Sequence, residues 1–259
     1  MTDSDTTRAA MTETSQELRR DRRREPRSPK RRGVLLFFRD LLVIFAIAIL
    51  VSFVVKTFLI RSFFIPSESM RETLQVHDRI IVNQLVPELV PLSRGDVAVF
   101  RDPGGWLAPT EQIEQNPLVA SVDWLLSLVG LSAPDSNDHL IKRVIGLPGD
   151  HVVCCNALGQ MTVNDVPLDE SPYVTLPAGE MRVSRDNFDI TVPADSLWVM
   201  GDNRYNSRDS RYQTETPGKG YVPIDNVVGR AFVVSWPVAH WAWLDNYPEV
   251  FAGVTNEND

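Results

Sequence analysis

The chain has 259 residues, 43% of them hydrophobic, with a formal net charge of −8 and two cysteines. That length gives one large domain or two small ones a proper core. The charge is uneven: residues 1–40 hold 11 Lys/Arg against 7 Asp/Glu, while residues 61–259 are net −13, and so acidic a body excludes nucleic acid as a partner because phosphate contacts need cationic surface.

Residues 1–32 are polar, show no apolar periodicity and include the run RRDRRREPRSPKRR. They read as a disordered, basic cytoplasmic tail. Residues 41–55, LLVIFAIAILVSFVV, are uncharged, and Val34–Phe38 and Thr57–Ile60 extend the apolar stretch. Its length is about the 20 residues a spanning helix needs, with Arg39, Asp40 and Lys56 placed to snorkel near the ends. Residues 33–60 are therefore expected to be a transmembrane anchor. A cleaved leader has the same charge layout but ends in a small-x-small site, and FVVKTFLIRSFFIP contains none. The basic flank puts the N-terminus in the cytoplasm and residues 61–259 outside.

The stretch RSFFIPSESMRETL, residues 61–74, follows at once. Pro66 fixes its own φ and biases Ile65 toward an extended backbone. Ser67 and Ser69 stand two apart, so in an extended or turn backbone both hydroxyls point the same way. A serine pair after proline also suits an ordinary polar turn.

From Ile80 onward the chain becomes short apolar runs broken by turns: RIIVNQL, GDVAVF, HLIKRVIGL, HVVCC, MTVNDVPL, FDITVP, SLWVMGD and NVVGRAFVVSW. Val, Ile, Phe and Trp dominate the runs, and Gly, Pro, Asn and Asp punctuate them. The expected fold class is mainly β, an antiparallel β-sheet body behind one N-terminal transmembrane helix. A smaller β subdomain is expected around residues 151–192. Residues 104–138 read as an insertion, loop-like apart from Leu118–Leu131, which suits a helix packed on the body or lying on a membrane. The adjacent pair Cys154 and Cys155 is no metal site without nearby histidines. A strained disulfide between neighbours, two free thiols and an intermolecular bridge all stay open. No cofactor and no metal are expected.

Acyl transfer by a serine needs a base. The four histidines, His77, His139, His151 and His240, form no recognisable Ser-His-Asp signature. A lysine buried in apolar surroundings loses its charge to desolvation and acts as a neutral base in Ser-Lys hydrolases. Only Lys142 and Lys219 occur after Lys56. Lys219 sits between two glycines and reads as loop. Lys142 lies on an otherwise apolar strand, sharing a face with Val144, although a lone strand lysine also suits a snorkelling edge residue.

Taken together, in order and behind an N-in anchor, IPSESM, RIIVNQL, RGDVAVF, KRVIGLPGD and GDNRYNSRDSR resemble the bacterial type I signal peptidases, membrane-anchored serine endopeptidases. The resemblance covers residues 41–236 and leaves out both tails and residues 104–138. It implies removal of signal peptides from exported preproteins after small-x-small sites. It implies Ser69 as nucleophile and Lys142 as general base, with Ser67 and the backbone N–H of Ser69 as the oxyanion hole. Ser207 would hydrogen-bond and orient the lysine, and Asp209 and Arg211 would pair to hold that loop. Apolar residues near the nucleophile, Ile65 and Met70 among them, would wall the substrate pocket, while Glu68 would point away from the serines. Expected partners are secretory preproteins, the phospholipid bilayer and the protein-export translocon. Reach alone is consistent with this: eight residues separate Arg61 from Ser69, an extended span of at most about 29 Å, so the nucleophile stays near the outer membrane surface. Two other readings compete. One is a self-cleaving Ser-Lys relative, against which the anchor and exterior body argue. The other is an anchored, non-enzymatic binding or assembly module.

Overall fold

The computed structural model describes residues 30–107 and 138–255. The N-terminal tail up to residue 29 and all but the ends of the 104–138 insertion lie outside the described residues.

Helix α1 spans Lys30–Val54. Within it Leu36–Val54 is long and apolar enough to cross a membrane, and its side chains are exposed. A helix apolar all round and exposed among the described residues suits a lipid surrounding. A π-helical turn, Val55–Leu59, follows. Ile60, read from sequence as the last anchor residue, instead opens strand β1, Ile60–Phe64.

The body is a separate unit built on two antiparallel sheets. The larger contains β1, β2 (Arg79–Asn83), β3 (Val97–Arg101), β4 (His139–Gly146), β9 (Ser196–Met200), β10 (Val222–Pro223), β11 (Val227–Trp236) and β12 (Ala242–Trp243). Its order is β1-β2-β11-β3-β4-β9-β10, with β12 paired to β11. The smaller sheet is β5 (His151–Cys154), β6 (Met161–Val163), β7 (Val166–Pro167) and β8 (Phe188–Thr191), in the order β7-β6-β5-β8. The expected mainly antiparallel β architecture is therefore the one observed.

Strand β4 lies between β3 and β9, so its residues from Ile141 to Gly146 are buried. This is the position in which a near-continuous apolar run is stable, because both faces pack. In the antiparallel register Ala98 stands opposite Lys142 and Phe100 opposite Leu140. Residues opposite each other share a face. One face of β3 and β4 packs into a cluster of Ala98, Phe100, Trp106, Val144, Leu197 and Val199. Val97, Val99 and Ile141 join a second cluster with Phe63, Ile65, Met70, Leu74, Ile80 and Val82. The third cluster lies under the small sheet and includes Ile145, Val152, Met161, Tyr173 and Trp198. Cys154 and Cys155 are joined in a disulfide.

Candidate active site

Pro66 ends the approach from β1, and Ser67 keeps an extended backbone (φ −123°, ψ 157°) ahead of a single 3-10 turn, Glu68–Met70. The two serine hydroxyls meet, with 3.2 Å between Ser67 Oγ and Ser69 Oγ. Ser69 is buried and Ser67 exposed. The turn is held from below by Leu74 N–H donating to Met70 O (2.6 Å) and from the side by Asn203 N–H donating to Ser69 O (3.1 Å). Asn203 Nδ2 also donates to Glu68 O at 3.0 Å. The Glu68 carboxylate accepts from Asn206 Nδ2 at 3.3 Å.

Lys142 is 3% exposed at the middle of a central strand, which rules out the snorkelling-edge alternative. Its Nζ donates to Ser69 Oγ at 2.7 Å and to Ile141 O at 3.0 Å. Burial pushes the amine down from 10.5 to about 8, with Asp209 and Asp202 pulling it back up and Arg211 helping to lower it. Desolvation is the dominant cause because an ammonium without water is the costlier form.

Three buried ion pairs lie in this part of the body, and the charges of Asp209, Asp202 and Arg211 act on Lys142. Asp209 is held bidentately by Arg211, through Nε and Nη2, both at 2.8 Å. Its Oδ2 accepts from Gly201 N–H at 2.9 Å. Burial alone pushes the Asp209 carboxyl up, but the Arg211 guanidinium and the Gly201 N–H leave it below the usual range. Arg143 grips Asp202 through Nε (2.9 Å) and Nη2 (2.7 Å), and Asp202 also accepts from Thr73 Oγ1. The Arg143 guanidinium lies 4.3 Å from the centre of the Tyr173 ring, a cation–π contact. Arg204 pairs bidentately with Glu170 of the small-sheet region, both contacts at 2.7 Å. Buried pairs of this kind stabilise little in net terms, but losing one partner is costly, so they fix geometry.

The structure brings together Ser67, Ser69, Lys142, Ser207, Asp209 and Arg211. Ser207 lines the cleft with Lys142; its hydroxyl helps to lower the Asp209 carboxyl, while Lys142 Nζ donates to Ser69 and Ile141. Gly201 explains the tight approach: a Cβ there would overlap both Ser207 Oγ and Ser69 O. Ile65 (1% exposed) and Met70 (0%) are buried in one apolar cluster with Phe63, Leu74 and Ile80. The 3-10 turn rotates Met70 away from the serines into the cluster under β1 and β2. Among the described residues, the cleft of about 760 Å³ is lined around the serines and Lys142 by Trp106, Leu107, Leu140, Arg185, Tyr205 and Tyr212. Sequence reasoning missed Asn203, Arg143, Asp202, Thr73 and Gly201; for most of these the only signal was position beside a motif residue. Among the described residues, no group of three or more His, Cys, Asp or Glu is placed to hold a metal.

Residues 38–236 match the model of one protein family, described as signal peptidase, peptidase S26. Over 237 residues the chain is 41% identical to a probable signal peptidase I of Mycobacterium leprae, covering 82% of this chain and 80% of that protein. It is 40% identical over 235 residues to signal peptidase I of Mycobacterium tuberculosis, covering 84% and 77%. A signal peptidase I of Leptolyngbya laminosa is 38% identical over 184 residues, covering 71% and 72%. The chain thus belongs to the signal peptidase I family, the membrane-anchored serine endopeptidases that remove signal peptides.

Proposed function

We propose that Ser69 and Lys142 form the catalytic dyad of this endopeptidase and that it cuts preproteins after small-x-small sites. The observation that carries the reading is the 2.7 Å contact between Lys142 Nζ and Ser69 Oγ inside a buried site. Neutral Lys142 takes the proton of Ser69 as Oγ attacks the scissile carbonyl. The oxyanion that forms accepts from Ser67 O–H and from Ser69 N–H. Protonated Lys142 then passes its proton to the leaving amine, and water resolves the acyl-enzyme by the same route. Asp209 and Arg211 hold the loop that carries Ser207 against the lysine.

The N-terminus lies in the cytoplasm and the β body outside the cell membrane, as the basic run ahead of α1 implies. The bilayer is a partner of the body as well as of the anchor. Trp236, Val238, Trp241 and Trp243 are all more than half exposed around β11 and β12, a composition suited to a lipid interface. The export translocon delivers the substrate. Purified full-length enzyme in detergent, given a preprotein with an Ala-x-Ala site, should release a mature chain starting just after the second Ala. Folded enzyme that leaves the preprotein whole, or cuts elsewhere, would overturn this reading.

A further inference from the structure

The segment that follows β12 has no part in the chemistry above, yet it reaches the residue next to Lys142. Arg143 is fully buried on β4. Besides gripping Asp202, its guanidinium donates from Nη1 to Gly95 O (2.6 Å) and Asp245 O (3.0 Å), and from Nη2 to Thr73 Oγ1 (3.3 Å). Thr73 N–H donates to Met70 O at 2.8 Å, so Thr73 belongs to the turn that carries Ser69. Asp202 precedes Asn203, whose N–H holds Ser69 O. One guanidinium therefore ties together the lysine strand, the nucleophile turn and the loop after β9.

Two aromatic rings close over that guanidinium. Tyr173 lies 4.3 Å and Tyr247 5.2 Å from it, and the two rings pack on each other with centres 5.2 Å apart. Tyr173 is buried, whereas Tyr247, from the C-terminal segment, is only partly so. The Tyr247 backbone is left-handed, with φ 49°. A bulky residue rarely takes that conformation and keeps it only where its surroundings dictate it. Here Asp245 Oδ1 accepts Tyr247 N–H at 2.9 Å, and Tyr247 O accepts Val250 N–H at 3.0 Å. Val250 and Phe251 are buried in the cluster that contains Tyr173.

We infer that Tyr247 is a positioning residue: through its ring the C-terminal segment holds Arg143 on Asp202, keeps water from that pair, and so fixes the lysine strand against the nucleophile turn. The inference rests on the dyad reading above. Lys142 is faced by Asp209 and Asp202, which favour its charged form, and by Arg211, which opposes it. Arg143 is faced by Asp202, Thr73, Tyr173 and Tyr247, and Tyr247 in turn by Asp245 and Glu249. Removing the Tyr247 ring frees the guanidinium and admits water. Water relieves the desolvation that keeps Lys142 neutral, and a less well paired Asp202 holds the ammonium more firmly. Both effects push the ionisation of the base the same way, to higher pH. Burial raises the Tyr247 phenol itself, so it stays neutral across the range of the test.

The test is the pH profile of kcat/KM from pH 6 to pH 9 for full-length enzyme in detergent, on one Ala-x-Ala preprotein. Rates are expressed per active site, counted with a serine-directed acylating inhibitor, and each variant is checked for native circular dichroism. In Tyr247→Ala the rising limb should move up by about 0.5 unit or more, so that the variant-to-wild-type ratio grows at least about threefold from pH 6.5 to pH 9. Tyr247→Phe keeps the ring on the cation and should superimpose on wild type. A purely structural role would lower the rate by the same factor at every pH. A ratio that stays constant with pH, however low the rate, overturns the inference, and so does a Tyr247→Phe profile displaced as far as that of Tyr247→Ala. Should Tyr247→Ala fail to fold, Tyr247→Leu, which keeps apolar bulk without the ring, takes its place with the same criteria. A flat wild-type profile would take down the lysine-base reading and this inference together, whereas a rising wild-type profile with parallel variants sinks this inference alone.

Discussion

Replacing Lys142 with methionine removes the amine and keeps a side chain of similar reach. Burial drives that amine from 10.5 in the unfolded chain to about 8 in the fold, and at about 1.4 kcal/mol per pKa unit the penalty for carrying the charge is roughly 3 kcal/mol. Below pH 8 the lysine is protonated in both states and the folded protein bears the full penalty. Between pH 8 and 10.5 the unfolded chain binds more protons than the folded one, so wild-type stability rises with pH. Above 10.5 the amine is neutral in both states and the penalty is gone. Lys142→Met lacks this titration. The Ser69 and Ile141 contacts it loses subtract about 1 kcal/mol independent of pH. For a body of this size, thermal unfolding in detergent should therefore show the Tm of the variant relative to wild type falling by about 6–12 °C from pH 7 to pH 10.5, from above wild type to below it. Tyrosines and other groups titrate alike in both proteins and cancel. A difference that stays constant across this range would mean that Lys142 titrates as an ordinary lysine, and the argument for a neutral base would fail.

As the proposed base, the same amine sets the expected pH dependence of the rate. kcat/KM should climb about tenfold per pH unit below 8 and level off above it, and a flat profile from pH 6 to 9 would contradict a lysine base. Lys142→Arg should be inactive, because a guanidinium keeps its proton; appreciable turnover would exclude the mechanism. Ser67→Ala should lower kcat by about 10²–10³ with KM little changed, the signature of a lost oxyanion donor, and steady-state kinetics on one preprotein separates the two parameters. In Gly201→Ala the new methyl must displace the Ser207 side chain and the Ser69 carbonyl. A nucleophile misplaced by about 1 Å costs on the order of 10²-fold, so the variant should fold but turn over at about 1% of wild type, and full activity would show that the close approach at Gly201 is immaterial.

The β body was readable because its strands keep apolar runs between strong turn formers. Lys142 was readable because a charged residue inside such a run is anomalous and because lysine is scarce beyond the anchor. What stayed hidden depends on distance or on local rotation. Nothing in sequence pairs Arg143 with Asp202 or Glu170 with Arg204; these are long-range contacts that only the folded sheets create. Ile60–Phe64 continues an apolar run, and hydropathy alone does not separate the end of a helix from the start of a strand. The two-residue strands β10 and β12 are too short to show a period. Met70 was expected at the pocket as a neighbour of Ser69; one 3-10 turn carries successive side chains to different sides, and Met70 is buried with Ile65 and Leu74. Trp106 was passed over because it opens an insertion that looked like loop.

The most direct test of the central claim compares Ser69→Ala and Lys142→Ala with wild type on one Ala-x-Ala preprotein, in detergent, with product termini read by mass spectrometry. If the 2.7 Å contact between these side chains is the catalytic dyad, wild type cuts after the second Ala and both variants, natively folded, yield no product. Cleavage at that site by either folded variant would contradict the dyad and move the chemistry elsewhere.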